Sequence, residues 1–125
     1  MNLLDEARER AVEVLQRCST PIGFKASGLA RGYPHVWARD SMITALGAAW
    51  AEPSLFLAPF RASLDTLGAF QSALGLIPLN VDVASQTVST ENAGAVDANL
   101  WYILGHYYHW PVSYTHLTLP TSDLV

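Results

Sequence analysis

The sequence predicts an all-α fold built as helical hairpins in two layers. Apolar residues recur at helical spacing in four segments, the segments alternate between one-sided and all-round apolar, and Gly, Pro, Ser or Thr separates them. A helix that is apolar all round is buried on every side, so this alternation predicts outer helices half in water and inner helices covered by them. Half of the 125 residues are hydrophobic and only 14% are charged, which is more apolar than a free-standing domain of this length requires. The chain is therefore expected to be two hairpins of a larger repeat architecture, with an inner face that needs further partners.

The first helix is expected over residues 2–18. Leu3, Leu4, Ala7, Ala11, Val14, Leu15 and Cys18 form one stripe and the charged residues the other, with acids early and Arg17 late to complement the helix dipole. Ser19-Thr20-Pro21 ends it. Residues 22–34, punctuated by Gly23, Gly28, Gly32 and Pro34, read as a loop with a short strand at 24–26. Residues 38–50 are Ala-rich and apolar on almost every face, an inner helix. Glu52-Pro53-Ser54 opens a third helix over about 55–73, where Phe56, Phe60, Leu64, Leu67 and Phe70 make the buried stripe. Residues 75–94 form a connection longer than about 12–15 residues, a length beyond which loops without structure of their own are uncommon, which points to a covering or functional role. The fourth helix, over 97–110, is again apolar all round.

Several function classes are disfavoured by composition. A net charge of −4 without a Lys/Arg cluster argues against nucleic acid, which needs a basic face. No apolar run approaches the roughly 20 residues that span a bilayer. The single Cys18 cannot form an internal disulfide, and with no signal-peptide pattern the chain is expected to be cytoplasmic. His106 and His109 lack a third ligand at suitable spacing, so no metal and no cofactor is expected.

Two segments carry chemistry. Tyr33-Pro34-His35-Val36-Trp37-Ala38-Arg39-Asp40-Ser41 brings aromatic residues and an Arg-Asp pair to the start of the second helix. Asn92-Ala93-Gly94-Ala95-Val96-Asp97-Ala98-Asn99-Leu100-Trp101 brings an acid, amides and an aromatic to the start of the fourth. Aromatic rings cover the apolar face of a pyranose, while a guanidinium and a carboxylate bind neighbouring hydroxyls through charge-assisted hydrogen bonds. Asp40 and Asp97 also suit the bland role of N-terminal helix acids, and Trp37 and Trp101 that of core residues. Adjacent helical residues point roughly 100° apart, so Arg39 and Asp40 are expected to make separate contacts.

Trp37-Ala38-Arg39-Asp40-Ser41 resembles the Trp-x-Arg-Asp-Ser element of glucoamylases and the Arg-Asp helix start of glycogen-debranching amylo-1,6-glucosidases. Val96-Asp97-Ala98-Asn99-Leu100-Trp101-Tyr102-Ile103 is similar to an element of neutral invertases and debranching enzymes. The resemblance implies about two of the six hairpins of an (α/α)6 toroid, and a truncated, metal-independent glycoside hydrolase whose parent cleaves α-glucosidic linkages with inversion. It implies Asp97 as the catalytic acid or a substrate ligand, and Trp37, Arg39 and Asp40 as contacts of the bound sugar; Tyr33, Asn92, Asn99 and Trp101, beside them at the two helix starts, are further candidate substrate-binding residues. In glucoamylases the acid is a Glu at the position of Tyr102. The second carboxylate of an inverting pair, about 6.5–9.5 Å from the first, would come from a later inner helix, so this fragment alone is expected to be inactive. A sugar epimerase or isomerase on the same toroid, with His106 as a proton carrier, and a non-catalytic helical interaction module are the alternatives.

The composition changes after Trp110, where periodicity also stops. Residues 112–121 resemble the translation of a transposon-end sequencing adapter. The glycosidase part is therefore expected over 1–110, and 111–125 is expected to be a non-native, irregular tail.

Overall fold

The computed structural model describes residues 1–88 and 96–116, the last three of these by backbone alone. It is mostly helical, with a few short strands: α1 (Leu3–Cys18), β1 (Ser19–Thr20), β2 (Gly23–Phe24), β3 (His35–Trp37), α2 (Ala38–Ala51), α3 (Pro53–Ala69), β4 (Asn80–Asp82) and α4 (Val96–His116). None of the described helices is long and apolar enough to cross a membrane.

The core lies where α2, α3 and α4 pack on one another. Met42, Ala45 and Ala49 of α2 meet Phe56, Phe60, Leu64 and Leu67 of α3, with Ala98 and Val112 of α4 closing the cluster. Gly105 permits this closeness, because a Cβ there would collide with the Met42 side chain and touch Leu64. Only Glu52 separates α2 from α3, and Pro53 at the start of α3 gives up no helical hydrogen bond there.

α1 is the loosest element. Asn2 caps it by accepting from the Asp5 N–H at 2.9 Å. It reaches the core through Val12, Leu15 and Cys18, whereas Leu3 and Leu4, expected in its buried stripe, are 80% exposed. An ion pair of Arg8 with Glu52 ties it to the α2–α3 junction.

Short strands replace part of the expected loops. β1 and β2 form an antiparallel hairpin with Ser19 opposite Phe24 and Thr20 opposite Gly23, one residue earlier than the strand expected at 24–26. The hairpin is fastened to α3: the Phe24 N–H donates to Ser63 Oγ at 2.9 Å, and Thr66 Oγ1 donates to the Ile22 carbonyl at 2.7 Å. β3 and β4 pair antiparallel with His35 opposite Asp82, Val36 opposite Val81 and Trp37 opposite Asn80. Strands of two or three residues show no period to read, which is why an all-α expectation overlooks them.

α2 and α4, apolar all round, are not covered on every side within this chain. Ile43 and Trp50 of α2 are about half exposed, and Leu100, Ile103, Tyr107 and Trp110 of α4 are 60–71% exposed. α4 also runs past Pro111 to His116, where an irregular chain was expected. Pro111 removes one N–H from the ladder, yet Val112 beyond it is buried in the core.

Candidate functional site

Strand pairing aims the site. Opposed residues of an antiparallel ladder share a face, so His35, Trp37, Asn80 and Asp82 lie on one side of the β3–β4 ribbon and Val36 and Val81 on the other. Both valines are fully buried, which fixes the polar side outward. The ladder runs on through the Ala38 N–H donating to the Leu79 carbonyl at 3.0 Å and the Val83 N–H to the Pro34 carbonyl at 2.9 Å. Trp37 is thus held against a rigid ribbon at the residue where α2 begins.

Tyr33, Trp37, Arg39 and Asp40 line one open cleft of about 180 Å³. The Tyr33 and Trp37 rings meet edge to face, with centroids 6.3 Å apart, and His35 approaches the Trp37 ring in the same manner at 6.1 Å. Arg39 joins the two helix starts: its Nη1 donates to Asp97 Oδ2 at 3.0 Å, and its Nε stands 3.7 Å from Asp40 Oδ1. The adjacent Arg39 and Asp40 therefore share a long contact, while the short one reaches 58 positions along the chain to Asp97.

The other residues named from the sequence are placed differently. Asn99 is turned away from the cleft: its Oδ1 accepts from the Ile77 N–H at 2.8 Å and its Nδ2 donates to the Gly75 carbonyl at 3.0 Å. It works as a clamp holding the 75–77 loop on α4, with the oxygen and the nitrogen of its amide both engaged. Trp101 is half-buried and packs against the core. Asn92, with Glu91, lies outside the described residues. Tyr102, at the position of the glucoamylase acid, has its hydroxyl against Gly68 of α3 and its ring edge-on to His106. Burial, aided by Asp65, pushes the Tyr102 phenol above its ordinary value.

His35, Asn80 and Asp82 border the same ribbon face and were missed. Their trace in the sequence, the alternation His35-Val36-Trp37 and Asn80-Val81-Asp82, covers three residues on each strand, too few for a period of two to stand out. His35 Nε2 stands 3.5 Å from Asp82 Oδ2. Hydrogen bonds from the backbone and hydroxyl of Ser85 hold the Asp82 carboxyl below its ordinary value, with burial opposing weakly. Among the described residues, His35 Nδ1 and Trp37 Nε1 are buried with no hydrogen-bond partner.

No family model, curated protein or solved structure matches the chain. The site must speak for itself.

Among the described residues, no group of His, Cys, Asp and Glu is placed to hold a metal ion. The α4 histidines are occupied by rings, His106 by Tyr102 and His109 by Phe60 at 5.0 Å. Burial pushes the Cys18 thiol up against a smaller pull from Lys25, the environment of a packed thiol. What remains is a wall of rings beside one guanidinium and two carboxylates, a set suited to a neutral ligand rich in hydroxyls.

Proposed function

We propose that this chain is the early part of an inverting glycoside hydrolase acting on α-glucosidic linkages, with α2 and α4 as neighbouring inner helices of an (α/α)6 toroid. The observation that carries the reading is the Arg39–Asp97 bond at 3.0 Å, which brings the two sugar-type helix starts to one place. The exposed apolar residues of α2 and α4 favour inner helices that further hairpins would cover.

In this reading Tyr33 and Trp37 receive the apolar face of the sugar, and Arg39 donates to ring hydroxyls while Asp40 accepts from them. Asp97 is engaged with Arg39 and must leave that pair and take up a proton from solvent before it can give one to the glycosidic oxygen. Substrate hydroxyls taking over the guanidinium would free it. The water-activating carboxylate comes from a later helix of the whole enzyme, so this chain binds without turning over. The packing of His106 and His109 against rings favours hydrolysis over proton transfer by an epimerase.

The test begins with the source DNA across the Trp110 codon, expected to continue into further helical hairpins with a late Glu. In that whole enzyme Asp97→Asn should lower kcat by about 10²–10⁴, and near-normal turnover would remove Asp97 as the acid. Asp40→Ala with an unchanged KM would remove the binding role of Asp40.

A further inference from the structure

α4 has two apolar faces, and the core takes only one of them. Ala98, Trp101 and Tyr102 pack in the core or against it, a Cβ at Gly105 would strike Met42, and His109 lies edge-on to Phe60. At about 100° per residue these five positions share one side of the helix. Leu100, Ile103, Leu104, Tyr107 and Tyr108 fall on the opposite side and are 39–71% exposed. Their spacing is that of a stripe made for burial, and Leu100, Ile103 and Tyr107 repeat as the seam positions of a coiled coil do. Trp50, half exposed near the end of α2, lines one cleft of about 550 Å³ with Tyr107 and Tyr108, so the face continues onto α2.

Charge and area together select what covers this face. Asp97, in the first turn, is the only Asp, Glu, Lys or Arg of α4. A face without charge has nothing to steer an acidic or basic partner. Without flanking Lys or Arg it also lacks what holds a helix on an anionic membrane surface. It can meet its own copy with no like-charge repulsion, which a two-fold contact between identical patches requires. The six exposed side chains are about half open; at about 150 Å² each, the low end for an aromatic residue, they present about 500 Å² per copy. Two copies face to face would bury about 1,000 Å², the size that a specific interface has to reach.

We infer that this chain forms a two-fold dimer through the outer stripe of α4, with Trp50 of each copy at the margin. Ile103 is at the middle of the stripe, so it lies beside the dimer axis and next to its counterpart. The dimer is independent of the reaction proposed above, and further hairpins of a longer enzyme would compete with it for the same face.

Sedimentation velocity at about 1 and 100 µM tests it, with a mass of 13.6 kDa at the lower concentration giving way to twice that mass at the higher. Ile103→Lys and Ile103→Glu should each weaken association by at least about tenfold, because each would bury an unpaired charge. Their far-ultraviolet circular dichroism should match wild type, since Ile103 faces water in the monomer. Mixed in equal amounts, the two variants should dimerise again, Lys facing Glu across the axis. Leu29→Lys, in a cleft beside α1, should associate as wild type does. A wild type that stays monomeric at both concentrations overturns the dimer. So does association that survives both changes at Ile103, which would place the contact elsewhere, or growth into open-ended assemblies, which a closed two-fold forbids. Loss of helix in either variant also overturns it, because the outer stripe would then already be covered within one chain.

Discussion

Replacing Gly23 with Ala should destabilise the fold by about 4 kcal/mol, the sum of two mid-range effects. Gly23 has φ +131°, a region that L side chains rarely adopt; strain of this kind costs about 1–3 kcal/mol. A Cβ there would also stand 2.5 Å from Ser63 Oγ, 2.7 Å from Ser63 Cα and 2.9 Å from Ser63 N. Two of these atoms belong to the backbone of α3 and cannot swing aside. The available relief is for β2 to lift off α3, which breaks the buried Phe24 N–H bond to Ser63 Oγ and leaves a donor unsatisfied at about 1–3 kcal/mol. A loss of that size is much of the about 5–15 kcal/mol that holds a domain together. At roughly 3–6 °C per kcal/mol for a chain of this length, Tm should fall by about 12–24 °C. Thermal and urea unfolding followed by far-ultraviolet circular dichroism would read it. Gly47→Ala is the control, because nothing lies within 4 Å of a Cβ there and helix propensity alone predicts a gain of about 0.5–1 kcal/mol. A Gly23→Ala protein within about 0.5 kcal/mol of wild type, a range usual for surface changes, would refute the claim that this hairpin is pressed against α3.

Three further outcomes are expected. Asn99→Ala should cost about 1–3 kcal/mol in urea unfolding, since it strands the buried Ile77 N–H; unchanged stability would return Asn99 to the list of ligand residues. A double-mutant cycle between Arg39→Gln and Asp97→Asn should give a coupling of about 0.2–1 kcal/mol, because both side chains are partly in water, and it should shrink as salt is added. Zero coupling at low salt would dissolve the bridge between the two helix starts. His109 should make the fold acid-sensitive: burial first, then Arg61 and His106, lower its pKa from the ordinary value of 6.5. The unfolded chain therefore binds the proton more readily, and the stability from this group is complete above about pH 6.5 and lost as pH falls below it. His109→Leu should flatten that part of the stability profile, and an unaltered slope would assign the acid sensitivity elsewhere.

Long-period patterns made the four helices legible, and the helix starts of α2 and α4 were visible in their Asp and aromatic residues. The sequence was less informative about partnership. Asn99 sits among chemistry-bearing neighbours, yet its amide is taken by a loop more than twenty residues earlier, and no local pattern announces such a long-range bond. Leu3 and Leu4 fit a helical stripe, but α1 meets the rest of the chain only along part of its length, so periodicity overstates their burial. The ribbon escaped notice because three residues of alternation fall below any useful window.

That ribbon makes the site hostage to two valines. Slipping β3 against β4 by one position would turn every side chain over, sending Trp37 and His35 inward and the valines into water. Val36 and Val81 touch no ligand in the reading above, yet they decide which way the Trp37 ring faces. In a mutational scan scored by binding, polar substitutions at these two buried positions would register as functional losses, and an observer mapping them would place the site beneath the cleft proposed above.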